Sequence, residues 1–188
     1  MDKNIIADFY RWHGEKFSKK QHRKYKKIPQ YKFTYVMRKC QYNRNRSKLK
    51  YYFYGYIFRK LKAKYTCDIP QQTEIGYGFK IEHIGAIAIN PKVKIGNNVN
   101  IYSGVVMGIE KRGPRKGNPV IGNNVWVGAN AAIVGNIKVG NNVLIAPGAF
   151  VNFDVPDNSI VVGNPGAIKP CENAIEDYCK YPYVTEKE

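Results

Sequence analysis

The stretch IGNNVWVGANAAIVGNIKVGNNVLIAPGAFV, residues 121–151, puts an aliphatic side chain at every sixth position: Ile121, Val127, Ile133, Val139, Ile145 and Val151. A period of six suits neither a helix of 3.6 residues per turn nor a long strand alternating every two. It suits short strands joined by tight turns, each aliphatic pointing into a shared interior. Ile89, Ile95, Ile101 and Met107 form a second such frame upstream, and Ile69, Ile75 and Ile81 a third. The triplet GNN recurs at 96–98, 122–124 and 140–142, and glycine and asparagine are the residues that turn corners at positive φ. Stacked coils of this kind bury a continuous apolar column and pair one another's backbone groups. The expected fold class is an all-β solenoid, a parallel β-helix of hexapeptide repeats. An ordinary sandwich would need longer segments of period two.

The frame slips twice. From Met107 to Ile121 the step is fourteen instead of twelve, across GIEKRGPRKGNP, residues 108–119. A polar, basic insertion of this kind must leave the coil as an extruded loop. From Ile81 to Ile89 the step is eight instead of six, inside IEHIGAIAIN, residues 81–90. That slip holds His83, the one histidine beyond the first 22 residues. Asp68 lies fifteen residues earlier, three short of an eighteen-residue coil, so the two are expected near one corner on neighbouring coils, about 5 Å apart along the axis. A carboxylate accepting the Nδ1 proton would orient the ring and leave Nε2 free as a general base.

The array over residues 67–170 resembles the hexapeptide-repeat acyltransferases, which implies a left-handed coil with three strands per turn. Within that family, CDIPQQTEIGYGFKIEHIGAIAIN (67–90) looks like the active-site segment of serine acetyltransferases. The match implies His83 as general base and Asp68 as its orienting partner, with Glu82 where the family has a substrate-contacting Asp. VGANAAIVGNIKVGNNVLIAPGAFV (127–151) and VVGNPGAIKP (161–170) resemble the acetyl-CoA-binding coils and exit loop. Ala129, Pro147 and Gly163 would then line the cofactor edge, with Lys169 near a phosphate. Serine acetyltransferases carry an R-H-P triplet after the loop that holds serine; here it reads Gly117–Asn118–Pro119. That departure, with the basic N-terminal segment, resembles the O-acetyltransferases of capsule and exopolysaccharide assembly. It makes a carbohydrate the first expected acceptor, met in part by Asn118, and serine the second. Galactoside and maltose acetyltransferases match less well, because their catalytic His lies in a G-H-P segment where this chain has Asn118.

Acetyl transfer from a thioester to an alcohol needs a base for the hydroxyl proton and donors for a tetrahedral oxyanion. His83 is the expected base, and the backbone near Gly108, at the foot of the loop, the expected donor on the acetyl-CoA side. Cys67 has the parity of an inward side chain and no second histidine to activate it, so it reads as structural and the transfer as direct. A zinc site would need several histidines in the coils, and none is expected. The resemblance implies a homotrimer with the site between chains.

The net charge of +17 is confined to one end. Residues 1–66 hold 20 Lys or Arg against 3 Asp or Glu, whereas 67–188 hold 11 of each sign. The expected organisation is a basic, aromatic-rich, mainly helical segment (1–66), the β-helix (67–170) and a C-terminal tail (171–188). KKQHRKYKKIPQYKFTYVMRKC (19–40) and RNRSKLKYYFYGYIFRKLKAKY (44–65) interleave cations with tyrosine and phenylalanine. The spacing predicts a helix over 48–64 whose stripe Leu49, Phe53, Ile57 and Leu61 packs on the first coil. Its basic face suits an anionic membrane surface better than nucleic acid, since no nucleic-acid module is recognisable. A β-helix without activity, acting as a scaffold through this segment, is the reading outside enzymes. Four cysteines without metal spacing, no apolar run of transmembrane length and no secretory core lead to an expectation of a cytoplasmic protein, peripheral at the inner face of the membrane.

Overall fold

The computed structural model describes residues 2–185; Met1 and the last three residues of the tail, 186–188, lie outside it. Four helices come first: α1 (Lys3–His13), α2 (Lys19–Tyr25), α3 (Pro29–Asn43) and α4 (Lys48–Tyr65). The strands that follow take turns among three sheets. Sheet A contains β1 (Cys67–Asp68), β4 (Ile87–Ile89), β7 (Val106–Gly108), β10 (Ala132–Val134) and β13 (Phe150–Val151). Sheet B contains β2 (Glu74–Ile75), β5 (Lys94–Ile95), β8 (Val120–Ile121) and β11 (Lys138–Val139). Sheet C contains β3 (Lys80–Ile81), β6 (Asn100–Ile101), β9 (Val125–Val127), β12 (Val143–Ile145) and β14 (Ser159–Val162), and β15 (Ala167–Pro170) closes it antiparallel. The other pairings between these strands are parallel, with Ile75, Ile95 and Ile121 in register on one side and Ile81, Ile101 and Val127 on another. Every aliphatic of the three sequence frames is buried, Ile75 the least at 9% exposure.

Each residue of GNN has its own task at the corner between sheets B and C. The glycine is there for close approach: a Cβ on Gly122 would drive into the carbonyl of Gly140 in the next coil. The first asparagine builds a ladder, the N–H of Asn97 donating to Oδ1 of Asn123 and that of Asn123 to Asn141, both at 2.8 Å. Only the second asparagine turns left-handed, at φ 55° for Asn98, 53° for Asn124 and 52° for Asn142. The positive φ read into the triplet from sequence thus belongs to one member of it.

Backbone hydrogen bonds join neighbouring coils in both directions, upward as from Gly76 to Ile95 and from Gly96 to Ile121, and downward as from Asn98 to Tyr77 and from Asn124 to Asn97. The lowest coil therefore presents carbonyls that no strand below can satisfy. Side chains of the helices satisfy them. Arg38 donates to the Ile75 and Gly76 carbonyls, Arg11 to Gly78, Gln41 to Gln71 and Thr73, and Gln30 to Glu82. Arg38 is fully buried and is neutralised by Asp8 at 2.8 Å, whose other oxygen accepts the Phe79 N–H at 2.9 Å. Burial pushes the Asp8 carboxyl upward while the Arg38 guanidinium pulls against it. Phe33, Met37, Phe58 and Leu61 seal the apolar column from beneath.

The tail lies over the outer face of sheet C, where Trp126 and Leu144 pack with Ala174 and Cys179. It is pinned by Arg11, whose Nη1 donates to the Lys180 carbonyl at 2.6 Å, and by two hydrogen bonds between Asn98 and the Tyr183 backbone. Among the described residues no helix is long and apolar enough to cross a membrane.

Removing Arg38 leaves a buried carboxylate without its counter-charge and two carbonyls without their side-chain donor, so Arg38→Met should cost about 3–5 kcal/mol in chemical denaturation. Lys94→Ala, at an exposed 3.5 Å pair with Glu74, should stay within about 0.5 kcal/mol of the parent.

Candidate active site

The corner between sheets C and A carries His83. Ile81 pairs with Ile101 and Ala88 with Val106, so the lower coil takes seven steps (88 − 81) where the coil above takes five (106 − 101). The two extra residues push the corner outward and leave the imidazole exposed. Its ring lies 5.2 Å from that of Tyr102, which in turn contacts Trp126 at 5.0 Å. Above it the same corner is laced coil to coil. Gly104 donates to Gly85, Asn130 to Ser103, Gly148 to Ala129 and Phe150 to Gly163, at 2.8–3.0 Å. His83, Ala129, Pro147 and Gly163 therefore share one edge of the prism. Small residues at its upper levels leave the backbone within reach of an extended ligand.

The remaining candidates go elsewhere. Asp68 does not orient the imidazole in the described contacts; its Oδ1 pairs with Lys62 Nζ at 2.5 Å, on an exposed part of β1. Lys62 comes from the last turn of α4, a cation that repeat counting could not bring to Asp68. Glu82 is not free for a substrate either. It accepts from Asn100 Nδ2 at 2.8 Å and pairs with Lys80 at 3.0 Å, while Lys80 lies over the Trp12 ring and Asn100 accepts from Arg11. Strand parity turns Glu82 toward the helices, and its role there is to hold the N-terminal segment on sheet C.

Gly108 and Asn118 stand at the other edge of sheet A, the corner with sheet B. The four extended residues from the Gly104 corner to Gly108 span about 13 Å, so within one chain Gly108 cannot serve an oxyanion formed at His83. The loop between them is closed by a pair of hydrogen bonds linking Glu110 and Gly117 at 2.9 and 3.0 Å. Asn136 N–H donates to the Arg115 carbonyl at 2.8 Å and ties the loop to the next coil. The Asn118 side-chain oxygen is buried without a partner among the described residues. Lys169 is exposed on β15, paired with Ile160 and set back from the corner that holds Gly163. Cys67 points inward, and burial lifts its thiol up to about 12, which removes it as a nucleophile near neutral pH.

Residues 118–152 match the family model for the bacterial transferase hexapeptide (six repeats). The chain is 34% identical over 122 residues to the serine acetyltransferase of Bacillus subtilis, a match covering 64% of this chain and 56% of that protein. Among solved structures it resembles the Brucella abortus serine acetyltransferase in complex with coenzyme A, with a TM-score of 0.66 and 26% identity over 76% of this chain and 56% of that one. It likewise resembles the soybean serine acetyltransferase complexed with serine, with a TM-score of 0.63 and 27% identity over 74% and 56%. The likeness shows the left-handed parallel β-helix. The chain spans between 33% and 56% of the length of such relatives. Relatives and solved structures alike are serine acetyltransferases, which overturns the preference for a polysaccharide acceptor drawn from Asn118 and the basic segment.

If Glu82 anchors the hexapeptide coils to the helices, Glu82→Gln should lower the thermal midpoint by a few degrees. That corresponds to about 1 kcal/mol for a half-buried pair. An unchanged midpoint with a raised KM for the acceptor would return Glu82 to the substrate.

Proposed function

We propose that this protein is an acetyl-CoA-dependent O-acetyltransferase whose acceptor is the hydroxyl of serine. The observation that carries the reading is the exposed His83 on its two-residue bulge, at the foot of a small-residue edge, in a chain similar to serine acetyltransferases solved with coenzyme A and with serine. Ala129, Pro147 and Gly163 would hold the acetyl donor along that edge, and the donor supplies the thioester carbonyl.

His83 takes the hydroxyl proton as the serine oxygen adds to that carbonyl. The tetrahedral adduct collapses to the ester, the carbon–sulfur bond breaks, and the imidazolium returns its proton to the leaving sulfur. Direct transfer agrees with the buried, protonated Cys67. The Arg and His that grip serine in the family are absent at Gly117–Asn118. The exposed loop cations Lys111, Arg112, Arg115 and Lys116 are the groups left on that edge to meet a carboxylate, the arginines by a bidentate fork.

Because His83 and the loop occupy opposite edges of sheet A, the reading calls for a second copy to complete the site, in a homotrimer. The outer faces of the prism support this choice of surface. Sheet B is mostly charged, its outward column being Glu74, Lys94, Val120 and Lys138, and sheet C is covered by the tail. Sheet A offers the small apolar column Ala88, Val106, Ala132 and Phe150 in register, with Val106 39% exposed.

Thiol release from acetyl-CoA with L-serine tests the reading directly. His83→Ala should lower kcat about 10²–10⁴-fold with an unchanged thermal midpoint, since the ring is exposed. A parent protein that folds but releases no thiol with serine would sink the proposal. Val106→Arg should reduce the sedimenting mass to that of one chain and abolish turnover together, by burying a charge in the apolar contact. Full activity in a monomeric variant would remove the shared site.

A further inference from the structure

We infer that α4 docks the protein on an anionic phospholipid surface. The inference stands apart from the catalytic reading and begins with a stripe that, in the contacts of the described residues, stands outside both apolar clusters of the fold. Leu49, Tyr52, Phe53 and Tyr56 are 82%, 71%, 59% and 51% exposed. They follow the i, i+3, i+4, i+7 pattern of one helix face. The stripe that packs on the core is a different one, made by Tyr54, Ile57, Phe58, Leu61 and Tyr65. At 3.6 residues per turn the two stripes are centred roughly 140° apart. The continuous packed stripe expected from Leu49 to Leu61 is therefore divided: its second half is buried and its first half turned outward. A protein surface rarely leaves a leucine and a phenylalanine side by side in water without a use for them.

The charge around the stripe selects its partner. Residues 16–67 contain 18 Lys or Arg and no Asp or Glu. Arg44, Arg46, Lys48, Lys50, Arg59, Lys60 and Lys64 are exposed on α4 and the turn before it, and Lys60 lies over the Tyr56 ring at 4.6 Å. Beside the stripe, a groove of about 540 Å³ is lined by Tyr51, Tyr52, Tyr56, Arg59 and Lys62, large enough to take a phosphate headgroup. Apolar side chains on a convex helix, tyrosines next to them and cations on both flanks match a bilayer interface, where rings sit at headgroup depth and lysines meet lipid charge. A second copy would bring the same cations against these, and like charges oppose that contact. Single-stranded nucleic acid prefers a charged channel with stacking faces over a ridge topped by leucine.

Flotation of the full chain with vesicles at physiological salt tests the inference. Binding is expected to phosphatidylcholine vesicles containing about a third phosphatidylglycerol, and to be at least ~10-fold weaker to phosphatidylcholine alone. Leu49→Ser with Phe53→Ser should cut the partition at least ~10-fold, and Lys48→Gln, Lys50→Gln and Lys60→Gln together roughly 100-fold. Both variants should keep the parent's thermal midpoint, because the altered side chains are exposed. The idea fails if the parent does not float, if neutral vesicles serve as well, or if the variants float like the parent. It fails equally if the Ser variants lose sedimenting mass without losing flotation, which would make the stripe a contact between copies. Retention on single-stranded RNA with no flotation would overturn it in favour of nucleic acid.

Discussion

In a parallel solenoid every coil turns part of its N–H and carbonyl groups toward the coil before it and part toward the coil after it. The first coil consequently ends in a row of backbone groups, carbonyls foremost, with no coil beneath them. Two buried arginines and two glutamines from the helices meet that row: Arg11, Arg38, Gln30 and Gln41. An unsatisfied buried carbonyl costs about 1–3 kcal/mol, so several left open would outweigh the margin by which a domain folds. The donors arrive on helices because only side chains can reach upward without offering further unpaired backbone. Asp8 then follows from Arg38, since a buried guanidinium needs a counter-charge. At the other end of sheet C the chain closes the array with its own antiparallel strand, β15.

The same stacking decides where chemistry can be placed. An inward position must remain aliphatic and a strand must remain in register, so insertions are tolerated only at corners. Both departures from the six-residue count obey this. The bulge at His83 leaves sheet A at one edge and the extruded loop leaves it at the other, with the strands between them undisturbed. A chain built in this way can expose an imidazole and a basic loop without cost to its core. It cannot bring them together by itself, because the sheet that supports both keeps them a strand's length apart.

Legibility in the sequence follows the same division. The coils could be read because each inward position repeats the demand of the one before it, and Ile121 through Val151 state that demand six times. The corner column was implied by the resemblance rather than by counting, since only Ala129 and Pro147 are eighteen residues apart, and the stacked corners carry His83, Ala129, Pro147 and Gly163 to one edge. Asp68 and Glu82 could not be read, because their partners come from outside the repeat: Lys62 from α4, and the chain of Arg11, Asn100 and Lys80 beneath α1. Arg11 and Arg38 gave no signal in a segment full of similar cations, although they are the two that are buried. The acceptor is poorly legible for a chemical reason. Gly117–Asn118 in place of an Arg-His pair removes one means of holding a carboxylate, and other cations, Arg112 and Arg115 among them, stand in the same loop.

The helical cap shows why a basic, aromatic segment and a charge-neutral coil can share one chain. The cap's inner face is tightly specified, by carbonyls that need donors and by an apolar column that needs a lid. Its outer face is specified by nothing in the fold. Stability would be served equally well by glutamate and alanine at positions 49, 52, 53 and 56, which are good helix formers on a solvated surface. Leucine, phenylalanine and two tyrosines stand there instead, in a stretch from which acidic residues are wholly missing. Neither helix propensity nor packing asks for that composition. A requirement from outside the fold does, and the contact must be one that rewards apolar depth and positive charge together.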